Sequence, residues 1–437
     1  MFSYYLRQSL ISLKRNPILS LLMVMAIALG IAAAMTTITV NYLMSADPIP
    51  SKSDRLFYVQ LDSWSADEPF LEPNQPPDQL TWRDATELMR AAKAERQSAM
   101  ATSMMVIEPD VAQQKPFSAS VRLAYSDFFP MFNVPFQYGQ GWHSDADQSR
   151  QLVVVLSHDM NERLFGGENS VGQSLRMGGR LFQIVGVMQP WQPRPRFFDV
   201  TTGAFADMND VYVPFLLKEA LTLPNGGNNN CWKPLPDATF QAYLNSECIS
   251  NQFWVELSDQ QAVADYQRFL DNYVTEQKKL GRFPRPLNNH LSDVMSWMEK
   301  QQVVSDDAQI MMYMALMFLL VCLLNTVALL LAKFLGKTPE IALRRALGAN
   351  RRQLMQQHVL ETACIGIAGG VLGLVLTWLG LLGVERLYQG NLKDLTQLDL
   401  PLLGMGMLLA LVAAILAGLY PTWRACAIAP AGQLKTQ

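Results

Sequence analysis

Four long apolar runs constrain this chain more than any other feature. Pro17 to Met44 carries no charged residue, and apolar runs recur at Ile310–Ala332, His358–Val384 and Leu398–Tyr420. A bilayer core takes about 20 apolar residues as a helix, so each run is long enough to cross one. The first run is about twice the roughly 7–15 residues of a signal-peptide core and follows a basic segment, so a retained span is expected. From Ala46 to about Asp307, prolines, charges and alternating patterns take over, and no window there suits a bilayer. The chain is 50% hydrophobic and only 17% charged, against about a quarter charged for soluble chains. Its net charge of −3 implies no nucleic-acid partner.

The charges beside the spans set an expected topology. The N-terminal stretch carries Arg7, Lys14 and Arg15. The 333–352 stretch carries Lys333, Lys337, Arg344, Arg345, Arg351 and Arg352. The tail after residue 420 carries Arg424 and Lys435. All three fall on one side of a four-span chain, and the mixed loop 385–399 falls on the other. Basic loops stay in the cytoplasm, so both termini are expected there, with the large domain outside. Phe2, Leu6, Leu10 and Leu13 share a helical face, which predicts an interfacial helix before the first span.

The external domain shows its own punctuation. Residues 153–156 read as a buried strand, followed by a helix begun by Ser157 and ended by Gly166-Gly167. Two strands then meet at Gly178-Gly179, a hairpin signal. Arg55–Leu61, Thr239–Tyr243 and Gln252–Leu257 read as strands, and Leu80–Lys93 and Asp259–Gln277 as helices. Residues 189–195 and 225–230 read as solvent-facing loops. Cys231 and Cys248 are either two free thiols or a disulfide. An oxidising compartment favours the bridge, which would contribute about 3 kcal/mol.

The stretch KFLGKTPEIALRRALGANRR, residues 333–352, predicts a short capped helix between the second and third spans. Thr338 suits the N-cap, Pro339 the first helical position and Glu340 the positive end of the helix dipole. Gly348 can terminate it, and Asn350 can cap the next helix. Glu340 and Arg344 lie four apart and can pair. The plainer reading is a topology signal alone. Gly336-Lys337-Thr338 imitates the end of a P-loop, but position 331 is Leu and an apolar span precedes it, so the motif fails. His143, Asp145 and Asp147 lack a second cluster and read as a solvated loop, not a metal site. No nucleophile elbow or zinc-protease motif is present, so no catalytic, cofactor or metal residue is assigned. The spans read as nearly free of charge at depth, without an ion path. Gly366, Gly369, Gly370 and Gly373 allow close helix packing, and Asn325 reads as interhelical glue.

Four segments together resemble a known family: LRQSLISLKRNPILSLLMVMAIALGIA at 6–32, VVVLSHDMNERLFGGENSVGQSLRMGGRLFQIVGV at 153–187, ALLLAKFLGKTPEIALRRALGANRRQLMQQHVLE at 328–361 and LAGLYPTWRACAIAPAGQLK at 416–435. The chain resembles the permeases of MacB-type ABC transporters, the FtsX-like or mechanotransmission class, over nearly its whole length. The resemblance implies an α-helical membrane protein with four transmembrane helices and a large α+β extracytoplasmic domain between helices 1 and 2. That domain would combine a porter-like subdomain with an inserted small β-rich one. The expected segments are an interfacial helix (1–16), TM1 (17–44), the periplasmic domain (45–307), TM2 (308–332), a coupling helix and loop (333–357), TM3 (358–384), a short loop (385–397), TM4 (398–420) and a tail (421–437). Within the domain, 45–117 and 214–307 would be porter-like and 118–213 inserted.

MacB carries a fused ATPase ahead of its first span. This chain opens close to the first matched segment, so a separate ATPase subunit holding ATP and Mg is expected. The resemblance further implies a second permease, identical or paralogous, in a bacterial inner membrane, with a periplasmic adaptor and an outer-membrane duct as candidate partners. Thr338, Pro339, Glu340, Ile341, Arg344, Arg345 and Gly348 would couple to the ATPase, with Ile341 inserted and Arg345 at the rim. Three functions compete. They are export of a periplasmic substrate (peptide, antibiotic, siderophore or lipoprotein), signalling to a cell-wall enzyme, and a scaffold without ATPase coupling. The full porter-plus-insert layout favours the first over the second, and the capped helix opposes the third.

Overall fold

Asn16 separates the N-terminal helix from the first span. The computed structural model describes residues 2–109, 115–338, 343–345, 350–387 and 400–427, and places a helix at Phe2–Arg15 and the first span at Pro17–Ser45. Pro17 tolerates the first helical position because its missing N–H has no intrahelical acceptor there. The other spans are Asp306–Leu335, Arg351–Leu387 and Leu400–Ala427. Ser305 caps the second by accepting from the Ala308 amide, with Asp306 and Asp307 in its first turn. Asn350 and Gln353 form a reciprocal box at the start of the third: Asn350 Oδ1 accepts from the Arg352 amide, and Gln353 Oε1 from the Asn350 amide. Each of these helices outruns its apolar run, because backbone hydrogen bonding continues where apolar composition stops. The fourth runs through Pro421.

The chain divides into two compact units, Met1–Ser45 with Val304–Gln437, and Ala46–Val303. In the helical unit the third span packs on the first and the fourth through its glycines. A side chain at Gly369 or Gly373 would run into Ile27 or Ile31 of the first span. One at Gly366 or Gly370 would run into Ala414 or Ala410 of the fourth. Two interleaved small-residue rows thus serve two neighbours.

The other unit is built on one sheet. Its strands are β1 (Leu56–Gln60), β2 (Leu80–Thr81), β3 (Arg96–Glu108), β4 (Phe117–Ala124), β5 (Phe136–Gly139), β6 (Val153–Leu156), β7 (Ser174–Met177), β8 (Arg180–Met188), β9 (Val211–Pro214), β10 (Ile249–Glu256) and β11 (His290–Asp293). The order is β11-β1-β10-β3-β4-β9-β6-β8-β5, with β2 on β10 and β7 on β3 and β8. Strands β4 and β9 run parallel, as do β6 and β8. Side-chain alternation feeds two cores. Phe253 and Val255 of β10 enter one, and Trp254 enters the aromatic other beside Tyr58, Phe128 and Trp297.

Several expectations meet this sheet directly. The helix after β6 spans His158–Phe165, capped by Ser157 and ended at Gly166 with φ +61°. Gly178 and Gly179, at φ +55° and +74°, make the tight turn joining β7 to β8. Residues 118–213 do not close a separate sheet. Their strands extend the one begun by the flanking segments, and the long β3–β4 ladder joins the two halves. Thr239–Tyr243 is not a strand. The Thr239 hydroxyl accepts from the Ala242 amide and caps a helix at Phe240–Leu244. Leu80–Lys93 is not helical throughout: Leu80 and Thr81 pair with β10, and the helix runs from Trp82 to Ala91. The 225–230 loop is not simply solvent-facing. The Gly226 amide bonds the Thr102 carbonyl at 2.9 Å, and Asn225 accepts from the buried Lys218 ammonium and donates to Tyr243. Cys231 and Cys248 are joined as a disulfide.

Candidate coupling site

The helical unit gathers ionic side chains where the second span ends and the third begins. Lys333 lies in the last turn of the second span, and Glu361 lies ten residues into the third-span helix. Their side chains are fully buried, and Lys333 Nζ sits 2.8 Å from Glu361 Oε1. Lys337 Nζ approaches the same oxygen at 3.4 Å. The Ser12 hydroxyl of the N-terminal helix donates to that oxygen and accepts from Lys337. Lys333 also donates to Ser20 Oγ in the first span at 3.3 Å. His358 lies one helical turn before Glu361, with Nδ1 3.6 Å from Oε2, an ion pair when protonated. The His358 ring packs on Phe334 at 4.4 Å.

A carboxylate with two ammonium partners and a hydroxyl ties four segments of chain at one point. Buried charge is tolerated only when paired and hydrogen-bonded, and removing one partner strands the rest. The cluster therefore acts as a fixed joint between the N-terminal helix, the first two spans and the third. The sequence reading missed it. Glu361 falls inside the expected third span and Lys333 at the edge of the second, so the spans are not free of charge at this end. An ionisable residue within an apolar span is the signal that could have found it.

The predicted coupling residues divide around this joint. Thr338 is buried, and its hydroxyl donates back to the Leu335 carbonyl. Arg344 Nη1 donates to Gln357 Oε1 of the third span at 3.1 Å, so its side chain turns toward the bundle. Arg345 is half-buried. Pro339, Glu340, Ile341 and Gly348 lie outside the described residues. In the P-loop imitation, Lys337 is engaged with Ser12 and Glu361, and Gly336 ends a span helix instead of following a strand. Asn325 does not act as glue within this chain. It lies exposed on the second span, without a hydrogen bond among the described residues.

The 143–147 stretch is not a solvated loop: Ser144–Gln148 forms a short helix, and Asp147 within it is buried. Asp147 accepts from the Ser126 amide at 2.9 Å and from Trp142 Nε1 at 2.8 Å. Burial pushes its carboxyl up to about 6, while these donors pull the other way. His143 Nε2 meets Gln140. Among the described residues no cluster of three His, Cys, Asp or Glu side chains suits a metal ion.

Comparison with known proteins adds a second line. Residues 20–273 match the model of the MacB-like periplasmic core domain, and residues 312–430 that of the FtsX-like permease C-terminal region. The macrolide export ATP-binding/permease protein MacB of Wolinella succinogenes is 23% identical over 73% of this chain and 44% of its own length. The pyoverdine export ATP-binding/permease protein PvdT of Pseudomonas syringae pv. syringae is 22% identical over 71% of this chain and 42% of its own. The chain thus spans less than half the length of these curated relatives. The crystal structure of the periplasmic region of MacB from Actinobacillus actinomycetemcomitans aligns with 58% of this chain and 94% of its own, at 14% identity and a TM-score of 0.37.

Proposed function

The chain belongs to the MacB-like ABC transporter permeases with an FtsX-like C-terminal region, and on that basis we propose that it transmits motion from a separate ATPase subunit to its sheet domain, driving export of a periplasmic substrate. The observation that carries this reading is the buried Lys333–Glu361–Ser12 joint. A push on the 338–350 stretch reaches the second span, the third span and the N-terminal helix together, because one carboxylate binds all three. Among the described residues, the charged side chains of the spans sit toward the helix ends. That favours a mechanical bundle over a polar conduit.

Further parts of the reading follow from the topology. The basic ends and the 333–352 stretch lie in the cytoplasm, and the sheet domain lies in the periplasm of a bacterial inner membrane. ATP and Mg are held by the partner. A second permease, identical or paralogous, completes the complex. The exposed second-span face carrying Asn325 suits that contact, since an amide in lipid gains from a partner. A periplasmic adaptor and an outer-membrane duct are candidate further partners. Macrolide and pyoverdine export by the named relatives supports an export role over signalling.

The coupling test is direct. Glu340→Lys or Gly348→Val should abolish ATP-dependent export while the chain still inserts and is recovered from membranes. Normal export by both variants would leave the 333–352 stretch as a topology signal only.

A further inference from the structure

The sheet domain has a cleft of about 650 Å³ that none of the roles above uses. That volume lies within the roughly 300–1,000 Å³ of small-molecule sites. One wall is the helix Trp82–Ala91, and the other is the segment after β4 with the short helix Ser144–Gln148. Trp82 and Tyr125 both stack on buried Phe215, with ring centres 4.6 and 5.4 Å from it. Met89, Tyr125 and Leu216 are half-buried and give the cleft apolar surface. Its charges are unevenly answered. Arg90 is paired with Glu87, and Arg150 with Glu219 at 2.7 Å. Asp127 and Asp147 line the same cleft and have no ion pair among the described residues. Asp127 Oδ2 accepts from the Gln97 amide at 3.0 Å, while the nearby Arg96 is taken by Glu256 at 3.1 Å. Asp147 is answered only by the neutral donors of Ser126 and Trp142. Burial pushes both carboxyls up, and the charge on Asp127 adds to the rise at Asp147.

We propose that this cleft binds a small organic cation, with its ammonium or guanidinium group at Asp127 and Asp147 and its apolar body along Met89, Tyr125 and Leu216. Two neighbouring carboxylates without a counter-cation repel one another and are costly to keep charged away from water. An arriving cation relieves both costs, which an anion or a neutral ligand cannot do. An adjoining groove shares Ser126, Asp127 and Ser144 and has no lysine or arginine on its walls, so a cation approaching from that side meets no like charge. An organic cation fits better than a bare metal ion. Among the described residues no third His, Cys, Asp or Glu side chain joins the two carboxylates in a metal cluster, and much of the remaining lining is apolar. The inference concerns the sheet domain alone and does not rest on ATPase coupling or on export.

The test is binding of tryptamine to the purified full-length chain in detergent, read by isothermal titration calorimetry with empty micelles subtracted. Tryptamine joins an ammonium to an aromatic body, and indole-3-propionate places a carboxylate on the same body. A hydrogen bond to a charged group is worth about tenfold or more in affinity. Wild-type chain should therefore bind tryptamine saturably, and indole-3-propionate about tenfold more weakly or less. Asp127→Asn should weaken tryptamine binding about tenfold. Ser144→Trp, at an exposed position on the wall, should obstruct the cleft and block binding with both carboxylates kept. Glu68→Gln, an exposed acid that does not line the cleft, should leave binding unchanged. Ser144→Trp carries the test if Asp127→Asn fails to fold. Equal binding of the two indoles, unchanged affinity in both cleft variants, an equal loss in Glu68→Gln, or full displacement of tryptamine by equimolar calcium would each overturn the proposal.

Discussion

Two buried lysines show what single residues do here. Lys333 is held by Glu361. Glu361→Gln would leave that ammonium buried without its counter-charge, a loss of about 3–5 kcal/mol. Replacing both, as Lys333→Met with Glu361→Leu, should recover part of that loss, because the two fully buried charges go together and only the partly exposed Lys337 is left without this carboxylate. Thermal unfolding of the two variants in detergent measures this, and equal losses would remove the joint. Lys218 has no such acid among the described residues. It donates to Asn225 and lies about 6 Å from the Trp82 and Tyr243 ring centres. Burial pulls its ammonium down to about 7 from the ordinary 10.5. Between those values the unfolded chain keeps a proton that the folded chain has released. Stability therefore rises with pH across that window, and the full penalty is felt below it. Lys218→Met should raise the melting temperature more at about pH 6.5 than at about pH 9. Equal gains would show that Lys218 does not titrate there. Neither role was legible in the sequence. Lys333 reads as one of several basic residues in a topology signal, and its partner lies in another helix. Lys218 carries no sequence signal of its own, and its burial comes from contacts such as the bond to Asn225 of the 225–230 loop.

At the scale of elements, local chemistry was legible wherever the chain carries its own stop and start. The Ser157–Gly166 helix and the Gly178-Gly179 hairpin follow from caps and positive φ, which act within a few residues. Strand β3 was not legible. Its run of Ser, Ala, Met and Thr has neither strong strand propensity nor clean alternation, and it is held by β10 and β4 on either side. Thr239–Tyr243 was misread because an aromatic and β-branched stretch suits both a strand and a capped turn of helix. The third span's glycines were visible as small residues, but their assignment to two neighbours needed the packing. Gly366→Val and Gly369→Val should each destabilise the bundle by about 1–3 kcal/mol, through overlap with Ala414 and Ile27 respectively. Gly383→Ala, with nothing among the described residues within 4 Å of the added carbon, should be silent. Melting curves of the three variants check this, and a loss at Gly383 equal to the others would refute the packing argument.

At the scale of the whole molecule, mechanotransmission makes a prediction about paired copies. Spin labels placed at Leu235→Cys in the sheet domain of two permeases should show different distance distributions in nucleotide-free and ATP-locked complexes. Identical distributions alongside normal ATP hydrolysis would sink that mechanism. The sequence alone determined the four apolar spans, the large domain between the first two, and the family. These depend on composition over tens of residues and on motif order, both properties of a linear chain. Only the tertiary structure decided that one sheet runs through both halves of the domain, that the glycine rows serve two helices, and that a glutamate in the third span closes on a lysine in the second. Those depend on which distant residues meet, and neither hydropathy nor local propensity carries that information. The basic stretch from 333 to 352 draws on both. Its charge was plain in the sequence, and the buried carboxylate that anchors it appeared only in the fold.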